Sequence, residues 1–184
     1  IAKVDNPVAT FTNTGLGAGT YYYRIKAADT SGNKSAESNQ VSAALAPVCS
    51  HPSDLLSFGS VSLGASGTAN LAVSNTGTAT LSVTGITVFG AGAPQFAVIP
   101  ASFTINAGGP AQTVTVTFTP IGSPGSRSAG LSIAHNATDS PHTVTLSGTA
   151  QDVTPPAAPS GLSAIAGVNQ ATLTWTAGAE SDLS

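Results

Sequence analysis

The chain has 184 residues, of which 41% are hydrophobic, 7% charged and 5% aromatic, and its formal net charge at pH 7 is −3. Its five lysines and arginines are scattered, which excludes the clustered positive charge that nucleic-acid binding requires. No apolar run approaches the ~18 residues of a membrane helix, so we expect no membrane insertion. A surface made soluble by hydroxyl and amide groups is more common outside the cell, and we expect a secreted, cell-surface protein.

Residues 1–45 alternate apolar and polar side chains with the period of two that is typical of β-strands. Three strands are predicted, over Val8–Thr12, Thr20–Ala27 and Ser38–Ala43. In the second of them Tyr21, Tyr23 and Ile25 fall on one face, and we predict that they are core residues. Asp29–Asn33 has the Asp, Gly and Asn residues of a hairpin turn before the third strand.

Three motifs in this part carry a family resemblance: Gly15-Leu16, Gly19–Ala27, and Asp29 followed by Gly32–Ser35. Together they resemble the second half of a fibronectin type III domain of the bacterial kind. The resemblance implies that the three strands correspond to strands E, F and G of that family. It also implies that Tyr21 is the tyrosine-corner residue.

Residues 46–55 contain two prolines and predict a linker, whereas residues 56–150 match the ~100 residues of an immunoglobulin-like sandwich. In Gln112–Thr119 apolar residues alternate strictly with threonines, so one face of the strand can be buried. The same pattern recurs at Asn70–Ser74, Thr80–Thr84, Gly130–Ala134 and Thr143–Ser147. None of these strands can bury its apolar face alone, which predicts two sheets around one core. The predicted core residues are Leu71, Val73, Val114, Val116, Phe118, Leu131, Ile133, Val144 and Leu146.

Four motifs in this central part occur in a family order: Leu56–Val61, Val73–Thr78, Thr113–Pro120 and Asp139–Thr149. They resemble the ASH (hydin-type) immunoglobulin-like repeat, which in bacteria is often called choice-of-anchor D. The resemblance implies a non-catalytic module of scaffolding and surface proteins, related in fold to pilus chaperones.

Residues 151–184 begin with a proline-rich junction, Asp152–Pro156. Beyond it, Gly161–Ala164 and Ala171–Trp175 resemble strands A and B of a second fibronectin type III domain, and Trp175 falls at that family's core tryptophan position. The predicted fold class is therefore all-β, with a complete immunoglobulin-like sandwich between two half sandwiches. We expect the chain to be an internal part of a longer protein.

No residue pattern predicts a catalytic or cofactor-binding site. The central part has only two carboxylates, Asp54 and Asp139, and an enzyme would need a pair of them in a cleft. Cys49 is the only cysteine, so an internal disulfide is excluded, and Cys49 with His51 shows no pocket-forming pattern for a nucleophile.

Two groups of residues offer metal ligands but also suit ordinary turn chemistry. Asp29, Asn33 and Asp152 offer oxygen ligands for calcium, although Asp and Asn also form turns by themselves. His135, Asp139 and His142 fall in one hairpin and offer ligands for a transition metal, but Asp139 and His142 also belong to the family's turn motif. Turn formation is the interpretation we favour in both cases, and we predict no cofactor other than this calcium candidate.

The sequence therefore predicts a structural and adhesive spacer of a large extracellular bacterial protein, either a multi-domain array or a filament. Its partners would be neighbouring copies or adjacent domains, and head-to-tail completion of the split fibronectin type III domain between chains is one such arrangement. The alternative is an accessory linker of a secreted polysaccharide-degrading enzyme. Carbohydrate binding stays open, although Tyr22 is the one aromatic residue predicted to point outward.

Overall fold

The computed structural model describes residues 10–178, and its regular structure is almost entirely β-strand. A single 3-10 turn spans Ala93–Gln95, and the described residues contain no helix long and apolar enough to cross a membrane. The chain divides into two units, with the boundary between Gln151 and Asp152. The strands are β1 (Gly19–Tyr23), β2 (Val41–Leu45), β3 (Cys49–Ser50), β4 (Leu55–Ser62), β5 (Gly67–Asn75), β6 (Leu81–Phe89), β7 (Phe96–Ile99), β8 (Phe103–Ile105), β9 (Gln112–Phe118), β10 (Gly125–His135), β11 (His142–Gln151), β12 (Ser160–Gly167) and β13 (Gln170–Thr176).

Strands β3 to β11 form the predicted immunoglobulin-like sandwich. One sheet has five strands in the order β4-β11-β10-β6-β8, and the other has four in the order β3-β5-β9-β7. All pairings are antiparallel except that of β11 with β4, which is parallel. The fold class is confirmed. The predicted linker region is not a free connection, because Cys49–Ser50 pairs with β5 as an edge strand.

The period-two pattern places the nine predicted central core residues inside this sandwich. Each is exposed by no more than 1%, whereas the threonines between them face outward or lie partly covered. Phe118 lies at the centre, stacked on Phe96 at a ring-centroid distance of 4.7 Å and tilted against Phe58 at 5.7 Å. The core is therefore built from aliphatic residues of both sheets around three phenylalanines.

Two strand glycines lie directly against aromatic rings. A Cβ at Gly148 in β11 would lie 2.6 Å from Cε1 of the fully buried Phe118, and a Cβ at Gly130 in β10 would lie 2.2 Å from Cζ of Phe89. Phe89 is the cross-strand neighbour of Gly130 and is 49% exposed. One glycine makes room for a ring that is enclosed by the core, the other for a ring at the surface.

Strands β1 and β2 form a separate two-stranded sheet, in which Tyr21 pairs with Ala43 and Tyr23 with Val41. The Tyr21 hydroxyl donates a hydrogen bond to the carbonyl oxygen of Gly17, 3.2 Å away and four residues upstream. This is the contact expected of a tyrosine corner.

Three sequence predictions in this part differ from the structure. The described residues of Val8–Thr12 form no strand, and the rest of that segment lies outside the described residues. The predicted strand Thr20–Ala27 stops at Tyr23, because the N–H of Ile25 donates to the Ser38 hydroxyl (3.0 Å) instead of continuing the strand ladder. Ile25 is 74% exposed and is not a core residue, since the described residues provide no second sheet over it. Tyr21 and Tyr23 lie at intermediate exposure on the same face.

The second unit contains the antiparallel hairpin β12–β13. Its turn includes Asn169 with a φ of 54°, a left-handed conformation that asparagine adopts more readily than most residues. All residues of both strands are exposed. Trp175, predicted as a core residue, is 55% exposed, because the described part of this unit has no second sheet to cover it.

Candidate functional site

Side chains distant in sequence converge at one end of the sandwich. The chain's single cysteine and all three of its histidines meet there, and we call this group, together with Asp139, the histidine cluster: Cys49, His51, His135, Asp139 and His142. The ring centroid of His142 lies 4.9 Å from that of His51 and 4.9 Å from that of His135, edge-on in both cases. The sequence places His135, Asp139 and His142 in one hairpin, but it does not show that they meet Cys49 and His51, which precede β4.

Local structure explains how His135 points inward. His135 continues the period-two alternation of β10, in which Leu131 and Ile133 also face the interior. The register shift between Ala134 and His135 adds its extra residue to β6 and leaves this alternation intact. The turn after β10 is then fixed by Asn136, whose amide accepts from the N–H of Ser82 (2.8 Å) and donates to the carbonyl of Thr80 (3.1 Å). His135 is consequently only 7% exposed.

Cys49 is placed by a buried asparagine in the neighbouring strand. Asn75 pairs with Cys49 across β3 and β5 and is 5% exposed. Its side chain makes four hydrogen bonds, accepting from the N–H groups of Val48 and Gly77 and donating to the carbonyls of Ala79 and Ile105. The edge strand β3 is thereby tied to the sandwich, and the Cys49 thiol, 4% exposed, faces the interior.

The hydrogen bonds of the cluster define which ring nitrogens carry protons. His142 Nε2 donates to Asp139 Oδ2 at 2.5 Å, so its Nδ1 holds a lone pair when the ring is neutral. His135 Nδ1 accepts from the N–H of Ala137 at 3.2 Å, which places the proton of the neutral ring on Nε2. His142 Nδ1 and His135 Nε2 are both buried and have no hydrogen-bond partner among the described residues.

The electrostatics of the cluster favour a neutral thiol and a neutral His135 beside an ionised carboxylate. Burial, with a contribution from the negative charge of Asp139, raises the pKa of the Cys49 thiol to about 11. Burial also lowers the pKa of His135, and the nearby His142 acts in the same direction. The hydrogen bond from His142 lowers the pKa of Asp139.

Three members of the cluster offer metal-ligand atoms at close range. The ligand atoms of Cys49, His135 and His142 all lie within 4.8 Å of one another. Sequence reasoning considered His135, Asp139 and His142 together and treated Cys49 separately. One signal in the sequence is that His135 and His142 continue the inward-facing alternation of their strands. However, 86 residues separate Cys49 from His135, and only the pairing of β3 with β5 brings them together.

The calcium candidates are engaged in local turns. Asp29 Oδ1 accepts from the N–H groups of Ser31 (3.0 Å) and Asn33 (2.8 Å), and its Oδ2 accepts from the Asn33 side-chain amide at 2.7 Å. Asp152 belongs to the second unit, where its Oδ1 accepts from the N–H of Thr154 at 2.8 Å. Asn33 thus presents hydrogen-bond donors to Asp29. In the structure Asp29, Asn33 and Asp152 all take part in local turns.

A match to a family model identifies the protein's family. The family model for HYDIN/CFA65/VesB-like, Ig-like domains matches residues 47–149, which is more than half of the chain. The chain belongs to this family. The match begins before β3 and ends within β11, so it covers the sandwich together with the histidine cluster.

Solved structures with a similar fold come from several organisms. The HYDIN/CFA65/VesB-like chain is similar to PapD-like domain 7 of human CEP192, an ASH / PapD-like domain (TM-score 0.46, 18% identity, 58% of this chain and 87% of that one). It is also similar to a Porphyromonas gingivalis W83 protein of unknown function (TM-score 0.49, 17% identity, 74% and 68%). A third similar structure is the Salmonella enterica SafA pilin in complex with the SafB chaperone (TM-score 0.41, 12% identity, 68% and 66%). No curated protein matches the sequence at a significant level.

The HYDIN/CFA65/VesB-like domain also has a shallow depression of about 240 Å³ on its five-stranded sheet, lined by serines, glycines, Thr149 and Arg127. No carboxylate lines it. The guanidinium of Arg127 is committed to structure, because it donates to the Gln95 side chain (3.2 Å) and to the carbonyls of Ile121 (3.3 Å) and Ser123. This depression has no pair of groups suited to acid–base catalysis.

Proposed function

We propose that this chain is a structural, adhesive module of an extracellular multi-domain or filament-forming bacterial protein. In this proposal the HYDIN/CFA65/VesB-like sandwich is a rigid spacer, and the flanking hairpins associate with complementary β-sheets. The observation that carries the proposal is that both hairpins leave an apolar sheet face exposed.

The C-terminal hairpin has one such face. Its register pairs Ala164 with Leu173 and Ala166 with Ala171, so these side chains share one face with Trp175. Leu173 is 54% exposed and Trp175 55%. A two-stranded sheet of this kind is marginal by itself, and it becomes stable when its apolar face packs against another sheet.

The N-terminal hairpin has a corresponding face. Tyr21 and Tyr23 lie across from Ala43 and Val41, and Val41 is 57% exposed. The resemblance to fibronectin type III domains assigns this hairpin and β12–β13 to complementary halves of one sandwich. We therefore take the occupant of each face to be the complementary hairpin of a neighbouring copy, a head-to-tail contact that extends into filaments when it does not close.

The composition supports the extracellular location and limits the kind of partner. Between Asp54 and Arg127 the chain contains no Asp, Glu, Lys or Arg, so this part is made soluble by hydroxyl and amide groups, which is more common outside the cell. The spacer also has little charge with which to steer an ionic partner. Association must then depend on shape and apolar contact.

Light scattering over a concentration series of the full chain, with electron microscopy of the concentrated sample, tests the proposal. We expect the mass to rise with concentration and elongated assemblies to form. Trp175→Ser should abolish the rise, whereas Val168→Ser should not, since Val168 is 92% exposed in the β12–β13 turn and outside the apolar face. A wild-type chain that stays monomeric at all concentrations contradicts the proposal, as does equal association of both variants.

A further inference from the structure

We propose that Cys49, His135 and His142 form a binding site for a divalent transition-metal ion of the zinc type, with Asp139 orienting His142. The site lies inside the HYDIN/CFA65/VesB-like sandwich and does not depend on the spacer function proposed above. Its function would be to fasten the edge strand β3 to the turn between β10 and β11.

The donor set is that of a zinc-type ion. One thiolate and two imidazoles are ligands preferred by Zn²⁺, whereas calcium and magnesium prefer oxygen. Bonds of about 2.0–2.3 Å to the ion require ligand atoms about 3.5 Å apart, so atoms now within 4.8 Å of one another must approach by roughly 1 Å. Side-chain adjustment supplies such a movement, and water would complete a four-coordinate ion.

His142 is already prepared to bind. Its Nε2–H donates to Asp139, which leaves the lone pair of Nδ1 available and fixes the orientation of the ring. A ligating histidine that donates its other N–H to a carboxylate is the usual arrangement at metal sites. The buried Nδ1 has no other partner among the described residues, and a metal ion would satisfy it.

His135 must give up one contact to bind. Ligation through Nε2 requires the ring proton to be on Nδ1, which now accepts from the N–H of Ala137 at 3.2 Å. That contact is at the long end for a hydrogen bond, and a small rotation of the ring releases it. Nε2, which is buried and has no hydrogen-bond partner in the described part of the chain, then gains the ion. Cys49 loses its thiol proton on binding, so the site releases one proton for each ion bound.

Titration of the metal-free full chain with Zn²⁺ and with Co²⁺ tests the site. We expect one ion per chain, an increase in the thermal midpoint of more than about 5 °C at saturating Zn²⁺, and a cobalt spectrum with tetrahedral d–d bands and thiolate-to-cobalt charge transfer. Cys49→Ala should remove the charge-transfer band and His142→Ala should remove the tetrahedral spectrum. Circular dichroism of the metal-free variants shows whether each has kept the fold.

Two aspartate variants provide a matched comparison. Asp139→Asn should weaken Zn²⁺ binding about 10- to 100-fold and keep the one-to-one stoichiometry and the cobalt spectrum. Asp54→Asn removes the same charge from a carboxylate that is 89% exposed and lies 3.7 Å from His51 Nδ1, and it should leave the affinity unchanged. The inference is overturned by the absence of binding, by an octahedral cobalt spectrum without charge transfer, or by binding that persists in folded Cys49→Ala and His142→Ala. If only water occupies the cluster, the first of these results is obtained.

Discussion

The glycines at positions 148 and 130 allow a direct test of how tightly the sandwich is packed. In each case an added methyl group overlaps an aromatic ring. The distance from the added Cβ to the nearest ring carbon is shorter at Gly130 (2.2 Å) than at Gly148 (2.6 Å). Distance alone would make Gly130→Ala the more harmful change. We predict the opposite, because the two rings differ in their freedom to move.

At position 148 the ring of Phe118 cannot withdraw. It is 0% exposed and lies between Phe96 and Phe58, and carbon atoms at 2.6 Å are about 1 Å inside their preferred separation. Overpacking of a core costs up to about 3 kcal/mol, and replacing a strand glycine returns about 0.5–1 kcal/mol of backbone entropy. We expect Gly148→Ala to lower the free energy of unfolding by about 2 kcal/mol and the thermal midpoint by roughly 8–16 °C for a domain of this size.

At position 130 the ring of Phe89 is 49% exposed and can rotate into solvent. The lost cross-strand contact, of about 0.2–1 kcal/mol, is then offset by the same entropy gain, and Gly130→Ala should change the stability by less than about 0.5 kcal/mol.

Urea unfolding of the full chain, followed by far-ultraviolet circular dichroism, measures both variants. The backbone signal is needed because the sandwich contains no tyrosine or tryptophan. The fluorescence of Trp175 follows the second unit separately and should not change. Equal destabilisation by the two substitutions, or a larger effect at Gly130, would refute the argument that Phe118 is confined.

Three further predictions concern single side chains. Replacing Asn75 with Ala leaves four backbone groups without their hydrogen-bond partner. The substitution should lower the free energy of unfolding of the sandwich by about 2–4 kcal/mol, as measured by urea unfolding. Ser74→Ala, at a partly covered neighbouring position, is the control. The Cys49 thiol is buried and has a pKa of about 11, so little of it is ionised at pH 8. In the metal-free protein it should react with iodoacetamide at that pH at least about 100-fold more slowly than in the unfolded chain. Equal rates would show that the thiol is accessible. The hydrogen bond from the Asn33 side chain, together with the backbone N–H groups of the turn, lowers the pKa of Asp29 below that of an ordinary aspartate. Its stabilisation of the turn is therefore fully present above the pKa of the unfolded residue and is lost as the pH falls through the lowered pKa. The amide signals of Ser31 and Asn33 in NMR spectra should titrate accordingly, and should not do so in Asp29→Asn.

The sandwich was predictable from sequence because its strands are patterned with a period of two. Val114, Val116 and Phe118 alternate with threonines, and burial of one face follows directly from that alternation. The same reasoning placed Ile25 in a core, and the fibronectin type III resemblance placed Trp175 in one, but alternation shows only that residues share a face. Whether a second sheet covers that face depends on other strands, and the described residues provide none there.

The histidine cluster was not predictable in full, for a different reason. Its members lie on the two-residue edge strand β3, in the segment after it, at the end of β10, at the start of β11 and on the turn between them. The period of two places His135 and His142 on the inward faces of their strands, but no periodicity marks Cys49, His51 or Asp139. His135, Asp139 and His142 can be recognised together from sequence because they fall in one short hairpin. Cys49 reaches them only through the ladder between β3 and β5.

The parallel pairing of β4 with β11 affects how the module responds to mechanical force. In chain order these are the first and last strands of the five-stranded sheet, and they lie side by side in it. Leu56 pairs with Leu146, and Ser62 pairs with Gln151. Tension applied at the start of β4 and at the end of β11 pulls the two strands past each other lengthwise. The hydrogen bonds between them are then loaded in shear and must break together instead of one after another, so the sandwich should extend only at high load. Such a geometry suits a protein that transmits tension along its length.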